Sequence, residues 1–207
     1  MVRKTKEETE DTKTQILQSA LDCFYEKGFS KTSFGDISAR IGMTKGAVYW
    51  HFKDKTDLLV DLIKRHLQEK CKRLGEKQHL PETLAELREF FLKEAQYVES
   101  NPNLQKFIFF ATMQVEWSDE IFNRVIAKLG EIRNFHMTTI LNALTSAQKK
   151  GEISTSADVR EFAWMIANSW RGALDTYVAD CNKEFSLSKN FICVLDIILD
   201  WLKREEK

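Results

Sequence analysis

Two short helices separated by Gly42 are encoded in the first third of the chain, and this pattern constrains the fold more than any other part of the sequence. Ser33 has an acidic residue, Asp36, three positions later, which is the capping-box signature of a helix start. Apolar residues then recur at helical spacing up to Gly42, and glycine is the residue expected just past a helix end. Thr44 can cap a second helix, predicted over residues 45–52. Helix, glycine turn and helix is the plan of a helix-turn-helix motif, whose second helix enters the major groove of DNA.

The second of these helices has the composition of a surface that meets a partner. Only Val48 and Phe52 are spaced to face a core. Lys45 can reach a guanine edge or a phosphate, and Ala47 can touch a thymine methyl group. The alternative for the aromatic residues is packing inside a small domain, which fits Phe52 and leaves Trp50 open. Further donors and aromatic surface follow along the chain: Tyr49, Trp50, His51, Lys53 and Lys55.

The run GMTKGAVYWHFKDKTDLL, at residues 42–59, resembles the DNA-binding signature of TetR-family transcriptional regulators. Within that family it is most similar to the AcrR-like repressors of multidrug efflux pumps. The basic residues at positions 3–6 and the helix predicted over residues 16–28 also fit. The match covers roughly the first sixty residues, and its signature is dense. The resemblance implies an all-helical homodimer with a DNA-binding head and a larger C-terminal body that binds a small molecule and dimerises.

The resemblance also implies which residues of the head contact DNA. On matching positions, contacts are implied for Lys45, Gly46, Tyr49, His51 and Lys55, with Thr32, Ser33 and Thr44 at phosphates. With Ala47 and Trp50 added from the helix surface, the predicted DNA-binding set is Thr32, Ser33, Thr44, Lys45, Gly46, Ala47, Tyr49, Trp50, His51 and Lys55.

The composition predicts an all-α chain. Leu, Lys, Glu and Ala are abundant, whereas the 207 residues include only two prolines and eight glycines. We predict about nine helices, with a three-helix DNA-binding head at residues 1–53 and a ligand-binding and dimerisation body at residues 54–207. The 31 basic and 31 acidic side chains cancel. The chain is therefore not expected to bind nucleic acid through its overall charge, and any DNA contact must be local.

Several kinds of site are not expected. The four cysteines form no Cys-x-x-Cys pair, which disfavours zinc and redox sites. No glycine-rich phosphate loop or nucleophile elbow indicates an enzyme. We therefore expect no catalytic residue, no metal and no cofactor. The charged N-terminus lacks a signal region and the apolar runs are too short to span a bilayer, so the expected location is the cytoplasm, away from any membrane.

The rest of the sequence is predicted to form a series of helices. Pro81 and Ser156 are expected to open two of them, and Asp54 to cap the helix that follows the head. His66, on that helix, is expected to be exposed or to cap a helix end. The approximate ranges are 11–27, 54–80, 81–100, 102–116, 118–150, 156–181 and 188–204.

The last helix is apolar over nearly its whole circumference. One stripe carries Phe191, Leu195, Ile198 and Leu202, and other apolar residues fill much of the rest. In a monomer of this size one face of the helix would be left in water. We therefore predict a homodimer in which the last two helices of each chain form a four-helix interface. A charge placed at Ile198 is expected to split this dimer.

The body is rich in aromatic and methionine side chains, which can line an adaptable pocket for bulky apolar ligands. The alternative for each of them is ordinary core. Polar residues amid apolar neighbours can orient a ligand, or can satisfy a nearby backbone group. The predicted ligand-binding set is Phe91, Phe107, Phe110, Met113, Gln114, His136, Met137, Met165, Asn168 and Arg171.

Together these patterns predict a ligand-responsive transcriptional repressor that binds a near-palindromic double-stranded operator as a dimer. The resemblance further implies that it controls a multidrug efflux system and that lipophilic small molecules release it. The alternatives are a regulator of the same fold that activates or responds to a metabolite, a helical interaction module without a DNA role, and an enzyme, for which no motif argues.

Overall fold

A computed structural model describes residues 6–74, 80–129, 135–180, 182 and 184–204. All regular structure in these ranges is helical, which confirms the predicted all-α class. A π-helical turn, Phe110–Gln114, follows the sixth helix. The α-helices are α1 Lys6–Lys27, α2 Phe34–Arg40, α3 Lys45–His51, α4 Lys55–Leu74, α5 Leu84–Ser100, α6 Pro102–Phe109, α7 Asp119–Leu129, α8 Phe135–Lys149, α9 Val159–Ala179 and α10 Leu187–Arg204.

By packing, the chain divides into two units. Unit 1 comprises Met1–Glu69 and Lys106–Gly130, and unit 2 comprises Lys70–Gln105 and Glu131–Lys207. Helices α4 and α6 each contribute residues to both units. The predicted boundary between a head ending at residue 53 and a body beginning at residue 54 stays a prediction.

The core of unit 1 joins α1 and α2 to the chain at the π-helical turn. Phe24 of α1 and Phe110 of the turn are fully buried, and their rings stack with centroids 5.0 Å apart. The hydroxyl of Ser19 donates a hydrogen bond of 2.9 Å to the carbonyl of Ile37, which ties α1 to α2. These contacts fix the first helix of the helix-turn-helix motif on an apolar base.

The predicted signals around the helix-turn-helix motif are confirmed. The hydroxyl of Ser33 accepts the N–H of Asp36 at 3.2 Å, and the Asp36 carboxylate accepts the N–H of Ser33 at 2.9 Å, so both halves of the capping box form. The Lys27 ammonium and the Ser33 hydrogen bonds hold the pKa of Asp36 well below its usual range. Gly42 has a φ of +65°, a left-handed conformation that favours glycine. The turn between α2 and α3 therefore has the residue that its backbone requires.

Several helix boundaries differ from the prediction. Helix α1 begins at Lys6 and not near residue 11. Helix α5 begins at Leu84 with Thr83 as its N-cap, because the Thr83 hydroxyl accepts the N–H of Glu86 at 3.1 Å, so Pro81 does not open it. Asp158 caps α9 in place of Ser156, since its carboxylate accepts two backbone N–H groups of the first turn. The helix predicted to reach residue 116 ends in the π-helical turn instead. The predicted stretches at 75–79 and 130–134 lie outside the described residues.

His66 is buried, and the expectation of an exposed or capping histidine is wrong. Its side chain is 7% exposed and stacks on Phe107 with ring centroids 4.3 Å apart. Its Nδ1 atom has no hydrogen-bond partner among the described residues. Burial disfavours the imidazolium and lowers the pKa of His66 to about 4.

This histidine should make unit 1 sensitive to mild acid. The unfolded chain binds a proton at His66 near pH 6.5, whereas the folded chain resists protonation down to about pH 4, so stability falls as pH drops from 6.5 to 4. At about 1.4 kcal/mol per pKa unit, the loss is on the order of 3 kcal/mol. Urea unfolding at pH 7 and pH 4.5 checks this, with His66→Phe as the control. The wild type should lose more stability than the variant, and equal losses would contradict the buried neutral histidine.

The core of unit 2 is an aromatic cluster shared by α5, α9 and α10. Phe91, Trp170 and Phe191 are buried, and their ring centroids lie 4.9 to 5.2 Å apart pairwise. Helix α10 turns its Leu195 and Leu202 inward, both fully buried, together with Ile198. The sequence pattern places these residues with Phe191 on one stripe, but it does not predict that this stripe faces the core of unit 2.

Ile198 is only 8% exposed, so it does not lie on an outward face as the predicted charge substitution required. That choice of residue is wrong. Ile197, the neighbouring residue, is 66% exposed and points away from the core of unit 2. When a helix is apolar on all sides, its sequence does not show which stripe faces the core, because the packing partners decide this.

Candidate nucleic-acid interface

Helix α3 has one buried side and one exposed side, as its sequence predicts. Val48 and Phe52 are 0% and 3% exposed and anchor the helix to the core of unit 1. Tyr49 and Trp50 are 53% and 72% exposed. Exposed aromatic side chains of this size on a short helix are typical of a surface that meets a partner.

The first turn of α3 is small and basic. Thr44 is its N-cap, and the Thr44 hydroxyl accepts the N–H of Ala47 at 3.3 Å. A Cβ atom added to Gly46 would meet only the Thr44 hydroxyl, at 3.8 Å, which is ordinary contact. The chain itself therefore does not require glycine here, although glycine costs about 1 kcal/mol relative to alanine inside a helix. A close approach by something outside the chain explains the residue better.

Lys45 is the basic residue best placed on this surface. Its ammonium lies 5.7 Å from the centroid of the Tyr49 ring, and the same ring packs edge-on against Phe34 at 4.8 Å. Among the described residues Lys45 has no carboxylate partner. By contrast, Arg40 on α2 makes two hydrogen bonds to Glu26, at 2.7 and 2.8 Å. Lys45 and the Tyr49 hydroxyl are thus available to phosphates or base edges.

Trp50 and His51 form the far end of the surface. Their rings meet edge-to-face with centroids 4.6 Å apart. Trp50 belongs to the exposed aromatic surface and not to the core, which settles the alternative that the sequence left open. Its contact with DNA stays a prediction.

Two of the residues expected at phosphates use their side chains within the chain. Thr32 is 2% exposed, and its hydroxyl lies 2.8 Å from the Gly28 carbonyl and 3.1 Å from the Cys23 carbonyl. Ser33 is exposed, but its hydroxyl is engaged with Asp36 in the capping box. Phosphate contacts by these residues stay predictions, and the Thr32 side chain is not positioned for one.

Lys55 is turned inward to the loop after α1. Its ammonium donates to the carbonyls of Phe29 and Ser30 at 2.8 and 3.1 Å and lies 4.9 Å from the Phe29 ring centroid. Desolvation lowers its pKa. These contacts favour a structural role for Lys55 over the DNA contact implied by the resemblance.

A Lys55→Met variant separates the two roles. A structural role predicts a loss of about 1–2 kcal/mol in the free energy of unfolding, because two carbonyls lose a charged donor. The salt dependence of DNA binding should stay the same. Chemical unfolding and a salt titration of DNA affinity measure both quantities. A slope reduced by about one unit, with stability retained, would instead show a lost phosphate contact.

The ten predicted ligand-binding residues fall in both units. Unit 1 holds Phe107, Phe110, Met113 and Gln114, of which Phe110 is fully buried and Met113 is 48% exposed. Unit 2 holds the others: Phe91, His136, Met137, Met165, Asn168 and Arg171.

Three of these residues lie on the exposed side of α9. Met165 is 49% exposed, Asn168 is exposed, and exposed Arg171 pairs with Asp175 at 2.8 Å. They share the helix with Trp164, which is 52% exposed. This side of α9 resembles an interface more than the wall of an enclosed pocket, and a ligand role for the three residues stays a prediction.

Unit 2 contains a charge cluster formed by Lys70, Glu94 and His136, of which only His136 is predicted from the sequence, as a ligand-binding residue. The Lys70 ammonium lies 2.6 Å from the Glu94 carboxylate, and His136 Nε2 lies 2.9 Å from it. Burial opposes the charged form of Glu94, but its interactions with His136 and Lys70 outweigh this effect and lower the pKa of Glu94 to about 2. Glu94 follows Leu87 and Phe91 on one stripe of α5. An acidic residue at a position of the apolar stripe was the signal in the sequence that could have revealed the cluster.

Helices α9 and α10 also expose a set of large apolar side chains. Ile197 and Trp201 of α10 are 66% and 48% exposed, and the Trp201 ring stacks on Phe162 of α9 with centroids 5.0 Å apart. The complete set on the two helices is Trp164, Met165, Val194, Ile197 and Trp201. Exposed apolar side chains in such numbers are typical of an interaction surface.

Unit 1 carries an open groove of about 610 Å³. Lys55 lies on one side, and on another the Ser30 hydroxyl donates to the Glu116 carboxylate at 2.7 Å. Among the described residues no group of three metal-ligating side chains is close enough to hold a metal ion. In the same part of the chain no helix is both long and apolar enough to cross a membrane.

Residues 16–62 match the family model described as bacterial regulatory proteins, tetR family. The chain is 25% identical to the probable acrEF/envCD operon repressor of Escherichia coli strain K12, over 100% of this chain and 93% of that protein. It is 26% identical to the transcriptional regulator TtgR of Pseudomonas putida, over 79% of this chain and 78% of that one. Over 62 residues, 30% of this chain and 29% of the relative, it is 50% identical to the regulator AcrR of Shigella flexneri.

Solved structures give the same fold over nearly the whole chain. NalD, the secondary repressor of the MexAB-OprM multidrug efflux pump in Pseudomonas aeruginosa, superposes with a TM-score of 0.76 at 20% identity, covering 95% of this chain and 99% of that one. SmeT, the repressor of the Stenotrophomonas maltophilia efflux pump SmeDEF, gives a TM-score of 0.72 at 25% identity, covering 96% and 93%.

Proposed function

We propose that this chain, which belongs to the tetR family of bacterial regulatory proteins, is a ligand-responsive transcriptional repressor that binds a near-palindromic operator as a dimer. The observation that carries the proposal is the arrangement of buried and exposed side chains on α3. The helix is anchored by Val48 and Phe52, and it presents a basic, small first turn beside two exposed aromatic side chains. This is the form that a helix entering the major groove requires.

On this proposal the residues of α3 divide by role. Lys45 and the Tyr49 hydroxyl contact phosphates and fix the register of the protein on the duplex. Gly46 and Ala47 lie at the base edges, where the absence of a large side chain permits close approach. Thr44, Trp50 and His51 complete the contact surface along the groove.

The dimer places two such helices on one duplex. The exposed apolar side chains of α9 and α10 support an interface formed by the last two helices of each chain, because a two-fold axis would bury both copies of the set. Two-fold symmetry of the protein then calls for two half-sites about one helical turn apart, or a multiple of it.

The relatives support an efflux operon as the target and lipophilic compounds as ligands. The probable acrEF/envCD operon repressor and the efflux-pump repressors NalD and SmeT are among them. One SmeT structure is a complex with triclosan, and the FadR regulator of Bacillus subtilis has been solved with stearoyl-CoA. We propose a cytoplasmic location because a repressor must be in the compartment that holds its operator DNA.

Release by ligand would act through α4, which follows α3 in the chain and contributes to both units. A ligand that favours one orientation of this helix changes the placement of α3. Coupling free energies of about 1–3 kcal/mol change operator affinity roughly 5- to 150-fold, which is enough for a switch.

Selection of bound fragments from genomic DNA tests the proposal. Recovery of one near-palindromic sequence, lost when lipophilic compounds are added, is the expected result. A site that lies upstream of a promoter and raises transcription would instead support an activator of the same fold. Failure to enrich any fragment would leave a helical interaction module as the better description.

A further inference from the structure

The charge cluster of unit 2 bears on how a ligand acts, an inference that rests on the proposed function. The side chains of Glu94 and Lys70 are only 6% and 13% exposed. A buried ion pair is costly to desolvate, and apolar residues of similar size often stabilise a core as well or better. The presence of this pair in the core of unit 2 therefore points to a role other than stability.

Aromatic rings lie beside His136 of the cluster, and two buried polar groups of unit 2 have no hydrogen-bond partner among the described residues. The ring of Phe91 lies parallel to that of His136 with centroids 6.2 Å apart, and Trp170 lies at the same distance. Trp170 is 3% exposed, yet its Nε1 has no hydrogen-bond partner among the described residues, and the same holds for the fully buried hydroxyl of Thr139. Buried polar groups normally have a partner. Here the chain offers two that a bound molecule can satisfy.

A cation is the ligand class that the charges favour. An entering anion would draw Lys70 away and leave the buried Glu94 carboxylate with His136 as its remaining partner beside a second negative charge, which is unfavourable. A monocation can replace Lys70 one for one, so the carboxylate stays paired throughout. The displaced ammonium is carried on a flexible four-carbon stem and can return to water. The nearby rings favour a cation with aromatic substituents.

The position of Lys70 connects this exchange to the switch. Lys70 lies near the end of α4, whereas Glu94 lies on α5 and His136 on α8. We propose that the Lys70 ammonium is a built-in competitor of the ligand, so that a lipophilic monocation binds by replacing it on Glu94 and thereby releases the end of α4 from α5 and α8.

Calorimetry on the protein without DNA tests the exchange with two probes of one shape and opposite charge, tetraphenylphosphonium and tetraphenylborate. The wild type should bind the cation and not the anion. Lys70→Met should bind the cation at least about tenfold more tightly, because no internal competitor remains. Glu94→Gln should lose the cation. Lys93→Met is the matched control, since that lysine is 59% exposed and pairs with Glu89 at the surface, and it should bind as the wild type does.

Equal affinity of the wild type and Lys70→Met for tetraphenylphosphonium, or no binding to either, overturns the exchange. If Lys70→Met does not fold, Lys70→Arg takes its place and is compared with the wild type and with Glu94→Gln. Arginine keeps the competing charge on Glu94. The affinity of Lys70→Arg for the cation should remain close to that of the wild type, and a tenfold gain overturns the proposal.

Operator binding tests the coupling separately. Lys70→Met should bind the operator about fivefold or more weakly without any probe, because the end of α4 is already released. If the wild type binds the operator and Lys70→Met binds it equally well, the coupling is wrong while the proposed function stands. If the wild type binds no operator, the proposed function fails, and calorimetry still decides the exchange.

Discussion

Replacing Ile197 by aspartate is expected to split the dimer and abolish operator binding at concentrations where the wild type binds fully. Ile197 is 66% exposed in one chain and belongs to the apolar set on α9 and α10. In a two-fold interface the substitution occurs twice, and each copy buries a charge among apolar side chains. A total cost of about 3–5 kcal/mol would raise the dimer Kd by about 150- to 4000-fold.

Analytical ultracentrifugation measures this effect directly. Gln96→Asp is the matched control, because Gln96 is exposed on α5 and outside the apolar set. The control should sediment as the wild type does. An Ile197→Asp variant that also sediments as the wild type would refute the interface, and circular dichroism spectra of both variants would show that the helices are retained.

Alanine at both Lys45 and Tyr49 is expected to lower operator affinity about 30- to 1000-fold, at about 1–3 kcal/mol for each lost contact and with partial non-additivity. Tyr49 is 53% exposed and Lys45 has no carboxylate partner among the described residues, so the fold should tolerate both changes. The slope of log affinity against log salt should fall by about one unit, because one cationic phosphate contact is lost.

Fluorescence anisotropy at several salt concentrations measures both effects. Lys189→Ala, which removes an exposed lysine from α10, is the control and should change neither affinity nor slope. If the double variant binds the operator as tightly as the wild type, the exposed side of α3 does not contact DNA.

Local signals account for what the sequence predicted correctly. The capping box at Ser33 and the N-cap at Thr44 depend only on residues up to three positions away. The turn at Gly42 depends only on the backbone angle of that residue. The buried side of α3 follows from Val48 and Phe52, which are spaced one helical turn apart. Each of these features can be read without knowing what packs against the segment.

Non-local contacts explain what the sequence did not reveal. His66 is buried because Phe107, far along the chain, stacks on it, and Lys55 turns inward because two carbonyls of the loop after α1 accept its hydrogen bonds. The outward side of α10 depended on which stripe α5 and α9 would cover. The Lys70 and Glu94 pair joins helices that no spacing rule connects.

Hydroxyl-radical footprinting with guanine-methylation interference on the selected operator is the most direct test of paired α3 helices in successive major grooves. We expect two symmetric clusters of interfering guanines, with centres about 10 base pairs or a multiple of this apart on one face of the duplex. Both clusters should disappear with the Lys45 and Tyr49 double variant. A single asymmetric cluster, or protection confined to the minor groove, would contradict binding by a two-fold dimer through α3.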